Sequence, residues 1–131
     1  MSNWVEYTIE FYEKDEAKVK EIVGQWDERE EVNGLVTYVF SQTPSGGFTE
    51  NNNLCRAGIV FHGSHGEGFD FDRQIFVSDG KELVEIPCNR DNVAVVVFEN
   101  GEIDKDSLDE AQEYTRVLKN ANKILEARKN D

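Results

Sequence analysis

Between Cys55 and Ile86 the chain reads CRAGIVFHGSHGEGFDFDRQIFVSDGKELVEI, with apolar residues alternating at period two and glycine clusters breaking the runs. The runs Gly58–His62, Phe69–Val77 and Leu83–Ile86 are separated by the Gly-rich stretch His62–Gly68 and by Ser78–Asp79–Gly80. Alternation at period two punctuated by glycine is the pattern of strand, turn, strand. It predicts an antiparallel meander whose first turn displays His62, Ser64, His65 and Glu67, and few folds other than a sheet accommodate it.

The flanking segments add to that sheet. Val5, Tyr7, Ile9 and Phe11 alternate with Glu6, Thr8, Glu10 and Tyr12, which predicts a half-buried strand with a wet outer face. Asp15 is placed to cap a helix on which Val19, Ile22, Val23 and Trp26 share one face. The acidic run Asp27–Glu31 then reads as the solvated end of that helix, and Asn33–Gly34 as a turn. Leu35–Phe40 is β-branched and aromatic and predicts a second strand, followed by a long loop over Ser41–Asn53. Val93–Phe98 (VAVVVF) has no polar position and predicts an interior strand. Ser107 and Glu110 are spaced as a capping box for a last helix ending near Arg128. That helix starts acidic and ends basic, the polarity the helix dipole favours.

This order predicts a single α+β domain over residues 1–131. Its sheet would be five- to six-stranded and antiparallel-dominated, with two helices on one face. The opening strand–helix–strand step predicts at least one parallel pairing with a right-handed crossover.

The formal charge of −13, from 27 acidic and 14 basic side chains, restricts the partners. Phosphate backbones and anionic membranes require Lys and Arg to displace counterions, so neither direct nucleic-acid binding nor membrane binding is expected. A charged partner would be basic. Asp27, Glu28, Glu30, Glu31, Asp70, Asp72, Glu99, Glu102, Asp104 and Asp106 are the candidate residues for such a contact. The start of the chain lacks a basic, apolar leader, and Cys55 and Cys88 form no CxxC pattern, so reduced thiols and a cytoplasmic location are expected.

No spacing matches a known catalytic motif, and the expectation is a protein without enzymatic activity, metal or cofactor. A third reading is a metal-dependent hydrolase, because His62, His65, Cys55 and nearby carboxylates are zinc-type ligands. His-x-x-His in a glycine-rich loop is not a recognised ligand spacing. The alternative to a protein partner is a small anionic ligand, such as a nucleotide signal, held by Arg56, His62, Ser64, His65 and Arg73 with glycine amides forming a nest. A homo-oligomer would suit that role.

The opening MSNWVEYTIEFYEKDEAKVKEI, with Asn3–Trp4 and its strand–helix step, resembles the YubB-type group of small phage and plasmid proteins that begin Met-x-Asn-Trp. The resemblance covers Met1 to about Ile22, and Val5 stands where members usually carry Cys. It implies a mobile-element origin and a ferredoxin-like α+β fold, and no residue roles. A short, acidic, motif-free protein of that origin is similar in kind to anti-defence inhibitors. The functional expectation is therefore a phage-derived binding protein that occupies a basic, nucleic-acid-binding surface of a host protein.

Overall fold

The computed structural model describes residues 4–44, 47–68 and 72–129, apart from the side chains of residues 44 and 48. Strand β1 (Trp4–Tyr12) leads through a single 3-10 turn (Glu13–Asp15) into helix α1 (Glu16–Val23). Strands β2 (Glu28–Val32) and β3 (Leu35–Pro44), helix α2 (Phe48–Arg56), and strands β4 (Val60–His65), β5 (Gln74–Asp79) and β6 (Leu83–Pro87) follow. A short hairpin of β7 (Phe98–Glu99) and β8 (Glu102–Ile103) precedes the long helix α3 (Lys105–Arg128). The α+β class stands. Six strands form one sheet in the order β2-β3-β1-β4-β5-β6.

Every strand pairing described is antiparallel, including that of β1 with β3. The expected parallel pairing is absent because the acidic run Asp27–Glu31 is not a helix end. Most of it forms β2, which reverses at Asn33–Gly34 into β3, so β3 meets β1 head to tail. Both turn residues have positive φ (53° and 83°), the conformation that two-residue hairpins select.

Strand alternation divides the core between two faces. Tyr7, Ile9, Phe11, Val36, Tyr38, Phe40, Phe61 and Phe76 point to one face, where Val19 of α1 and Leu54 of α2 cover them. This face is aromatic: Tyr38 lies edge-on to Phe11 at 4.9 Å and stacks with Trp26 at 4.5 Å. Each fully buried side chain of this size contributes about 1.5–3 kcal/mol, so this larger cluster dominates the stability. On the other face Tyr12, Val60 and Val77 meet Val117, Ala121 and Leu125 of α3. The two helices sharing a face are thus α1 and α2, and the C-terminal helix lies opposite them.

Four further segments depart from the sequence pattern. Helix α1 stops at Val23, where Gly24 takes φ 83°, and Trp26 reaches Tyr38 from beyond the helix. Asp15 makes no capping bond; its carboxylate accepts two hydrogen bonds from Arg128 at 2.8 and 3.0 Å, tying α1 to the end of α3. The expected loop at Ser41–Asn53 is instead the end of β3 and most of α2. Its asparagines are helical because Asn51 is buried as a hydrogen-bond hub: it accepts from Tyr7 Oη at 2.6 Å and donates to Glu85 at 3.2 Å. Those tertiary bonds outweigh the weak helix propensity of asparagine.

Val93–Phe98 is not an interior strand. The chain folds back on the end of β6 for one bridge, Cys88 to Ala94, with Val95 N donating to Pro87 O at 3.1 Å, and then leaves the sheet. Helix α3 begins two residues before Ser107, so Asp104 is its cap and accepts from Ser107 N at 3.1 Å. The Ser107 hydroxyl accepts instead from Val97 N at 2.7 Å.

Candidate functional site

Helix α3 packs mainly on β4, β5 and β6 and leaves the outward face of β2, β3 and β1 largely without a helix over it. Two rows of directly opposed residues cross this open half-sheet. Glu30, Thr37, Glu10 and His62 form one, and Glu28, Val39, Thr8 and Ser64 form the other. None of the eight is buried. Three hollows of about 520, 310 and 290 Å³ lie along the rows, and Thr37 lines all three. Together they make a trough, walled on the α3 side by Tyr114 and Asn92 and closed at one end by Lys129.

The electrostatics of the trough come from strand register. Glu10 and His62, opposite each other on β1 and β4, lie 3.1 Å apart between Oε1 and Nε2, and Thr37 donates to the other carboxylate oxygen of Glu10 at 3.5 Å. The bond to His62 is the main cause that holds the Glu10 carboxyl below its ordinary value, so it is ionised at neutral pH. Glu28 and Glu30 are exposed on the same side. Glu28 and Glu30 line one hollow with Arg29, Glu10 lines the next with His62, and Glu10 and Glu30 share the third with Lys129, so three carboxylates and two cations line the trough. A carboxylate there can accept a guanidinium or an ammonium.

The other acidic candidates have different surroundings. Asp27 accepts from Ser41 N at 2.6 Å and fastens the approach of β2 to β3. Glu31 points to the aromatic face, 3.6 Å from Arg29, which in turn makes bonds of 2.6 and 2.8 Å to Glu16. Asp104 caps α3, Asp106 lies in its first turn, and Glu99 and Glu102 oppose each other in the β7–β8 hairpin. Asp72 lines a separate cleft of about 370 Å³ with Glu67, Arg73 and Arg90. Asp70 lies outside the described residues.

The candidate anion-binding residues do not converge. His62 and Ser64 are not in a turn; they sit two apart in β4 and share the trough. His65, one residue further, takes the opposite face, where it is buried with Nε2 3.1 Å from Gln74 Oε1, Nδ1 2.7 Å from Gly66 O and its ring stacked with Phe76. Arg56 is exposed at the end of α2, and Arg73 lies at the cleft beyond β6 with its Nε buried and unbonded. Among the described residues no three His, Cys, Asp or Glu side chains are placed to hold a metal ion. Cys55 and Cys88 are free thiols, and burial pushes Cys88 up.

The polar outer face of β1 was legible from alternation. Its partners were not, because no local signal pairs Glu10 with His62, 52 positions away. Among the described residues no helix is long and apolar enough to cross a membrane. The chain matches no known family model, no curated protein and no solved structure.

Proposed function

We propose that this protein is a non-catalytic binding protein whose open half-sheet accepts a Lys- and Arg-rich segment of a protein partner. The observation that carries the reading is the trough, whose three adjoining hollows are lined by Glu10, Glu28 and Glu30 against the cations Arg29 and Lys129. Glu10 and Glu30 lie on strands two apart, a spacing of about 10 Å, close to the rise of two helical turns. Basic side chains at i and i+7 of a helix, or three apart on a polyproline II segment, match that spacing. The net charge of −13 adds long-range attraction for such a partner and repels nucleic acid and nucleotides. The role that follows is that of an inhibitor that occupies a basic, nucleic-acid-binding surface of a host protein, in keeping with a mobile-element origin.

The test is the affinity for a Lys/Arg-rich helical peptide across a salt series, measured by fluorescence anisotropy. Glu28→Gln with Glu30→Gln should weaken binding and flatten its salt dependence. Glu21→Gln with Asp109→Asn, which removes the same charge from the helices, should do much less. Equal losses in the two variants would mean diffuse charge attraction without a site, and the reading would be abandoned.

A further inference from the structure

Among the described residues, five of the seven exposed large apolar side chains lie between Val93 and Ile103. Val93, Val95 and Val97 are 57, 43 and 49 % exposed, and Phe98 and Ile103, opposed in the β7–β8 hairpin, are 68 and 48 % exposed. Alternation turns Ala94 inward against Ile75, Ile86 and Cys88, which leaves the valines at odd positions facing out. Contiguous exposed apolar surface on a soluble domain marks an interaction site more often than chance.

The ridge is fixed in shape. Val95 N donates to Pro87 O, Val97 N to Ser107 Oγ, and Asp104 N to Val97 O at 2.7 Å. With these backbone groups engaged, a partner would be held by side-chain packing and not by adding a strand. The rim is acidic: from Arg90 to Glu110 the chain carries seven acids and two bases. A second copy of this chain would bring the same acidic rim against the first, and an anionic lipid surface or nucleic acid would meet the same repulsion. The rim suits an apolar anchor ringed by Lys and Arg. The ridge also begins at the trough, since Asn92, next to Val93, forms part of the trough wall.

We infer that Val93–Ile103 is the apolar half of the same binding surface, and that the partner presents an amphipathic helix: basic residues enter the trough and Leu- or Phe-type residues pack on Val95, Val97 and Phe98. This rests on the trough reading for the position of the basic residues, while the ridge is tested separately.

Two 14-residue helical peptides of equal charge serve as probes, one of Lys and Leu and one of Lys and Ser. The protein should prefer the Lys/Leu peptide by about tenfold or more, since a few buried apolar side chains supply that much. Val95→Ser with Phe98→Ser should erase the preference and leave Lys/Ser binding unchanged. These side chains are exposed, so the variant keeps its fold, and Val93→Ser with Ile103→Ser should act in the same direction. A preference that survives both variants overturns the inference. So does sedimentation showing that the wild type dimerises and the Val95/Phe98 variant does not, because the occupant would then be a second copy. If Glu28→Gln with Glu30→Gln changes neither affinity while the ridge variants still erase the preference, the trough reading falls and the ridge stands.

Discussion

Replacing Asn51 with alanine tests how α2 is held to the sheet. Asn51 has no solvent exposure and comes from a run of three asparagines whose propensity opposes a helix. It accepts from Tyr7 Oη on β1 at 2.6 Å and donates to Glu85 on β6 at 3.2 Å, so one side chain joins two strands across the aromatic face. Burial and the nearby carboxylates of Glu50 and Glu85 push the Tyr7 phenol well above its ordinary value, which keeps it a donor in need of an acceptor. Asn51→Ala strands that hydroxyl and removes a donor from Glu85. An unsatisfied buried partner costs about 1–3 kcal/mol, and Glu85 retains some contact with water, so the expected loss is about 3 kcal/mol. Tyr7→Phe removes the stranded hydroxyl. In the double variant part of the loss should return, with a coupling energy of about 1 kcal/mol or more. Urea unfolding of the wild type, both single variants and the double variant gives all four corners. A loss below about 1 kcal/mol for Asn51→Ala, or strict additivity, would refute the account of Asn51 as the hub.

Three other outcomes follow from the packing of the sheet. Gly63→Ala would set a Cβ 1.9 Å from the Thr8 carbonyl oxygen, a backbone atom of the neighbouring strand, and should cost more than about 3 kcal/mol or prevent folding; a melting temperature within a few degrees of wild type would contradict the close β1–β4 approach. Burial raises the Glu85 carboxyl above its ordinary 4.5, so this group makes the fold less stable as pH rises from about 4.5 through its raised value. Glu85→Gln should therefore gain about 0.5–1 kcal/mol at pH 7 and nothing near pH 4, as read from unfolding midpoints. Glu10 is displaced the other way, chiefly by its bond to His62, so its contribution is present above about pH 4.5 and is lost as pH falls through its lowered value. His62→Ala should remove that contribution: the stability difference from wild type should be visible at pH 5.5 and should narrow by pH 3, and a constant difference would show that Glu10 is not involved.

The sheet was legible wherever one face is buried and the other wet. Val5–Tyr12 reads correctly because alternation alone decides its register relative to the core. The pattern misleads at His62–Gly68, where the glycines suggest a turn. Gly63 is there for the close approach of β1, and the strand continues through His65. One residue of difference then sends His65 to the aromatic face and leaves His62 and Ser64 in the trough. The Asp27–Glu31 run carried no strand signal, since its charged residues lack β propensity; β2 exists because its backbone pairs with β3 across the Asn33–Gly34 turn. Val93–Phe98 has the composition of a core strand and an exposed position. Here local pattern and tertiary place disagree, which is where binding surfaces are commonly found.

The two margins of the sheet have a consequence for the protein in a crowded solution. All five residues of β2 are exposed, and four of them in sequence, Glu28 to Glu31, are charged. At the other margin β6 ends in Pro87, which has no amide hydrogen to offer, and the chain folds back over the next position through the Cys88–Ala94 bridge. A neighbouring molecule approaching these margins meets charge along β2 and, at the end of β6, a proline and a bridged position that interrupt the template. Both features oppose edge-to-edge pairing between molecules. If the proposed function holds, the charges on β2 have two roles, and a variant that made them apolar would lose dispersion in solution together with affinity for a basic partner.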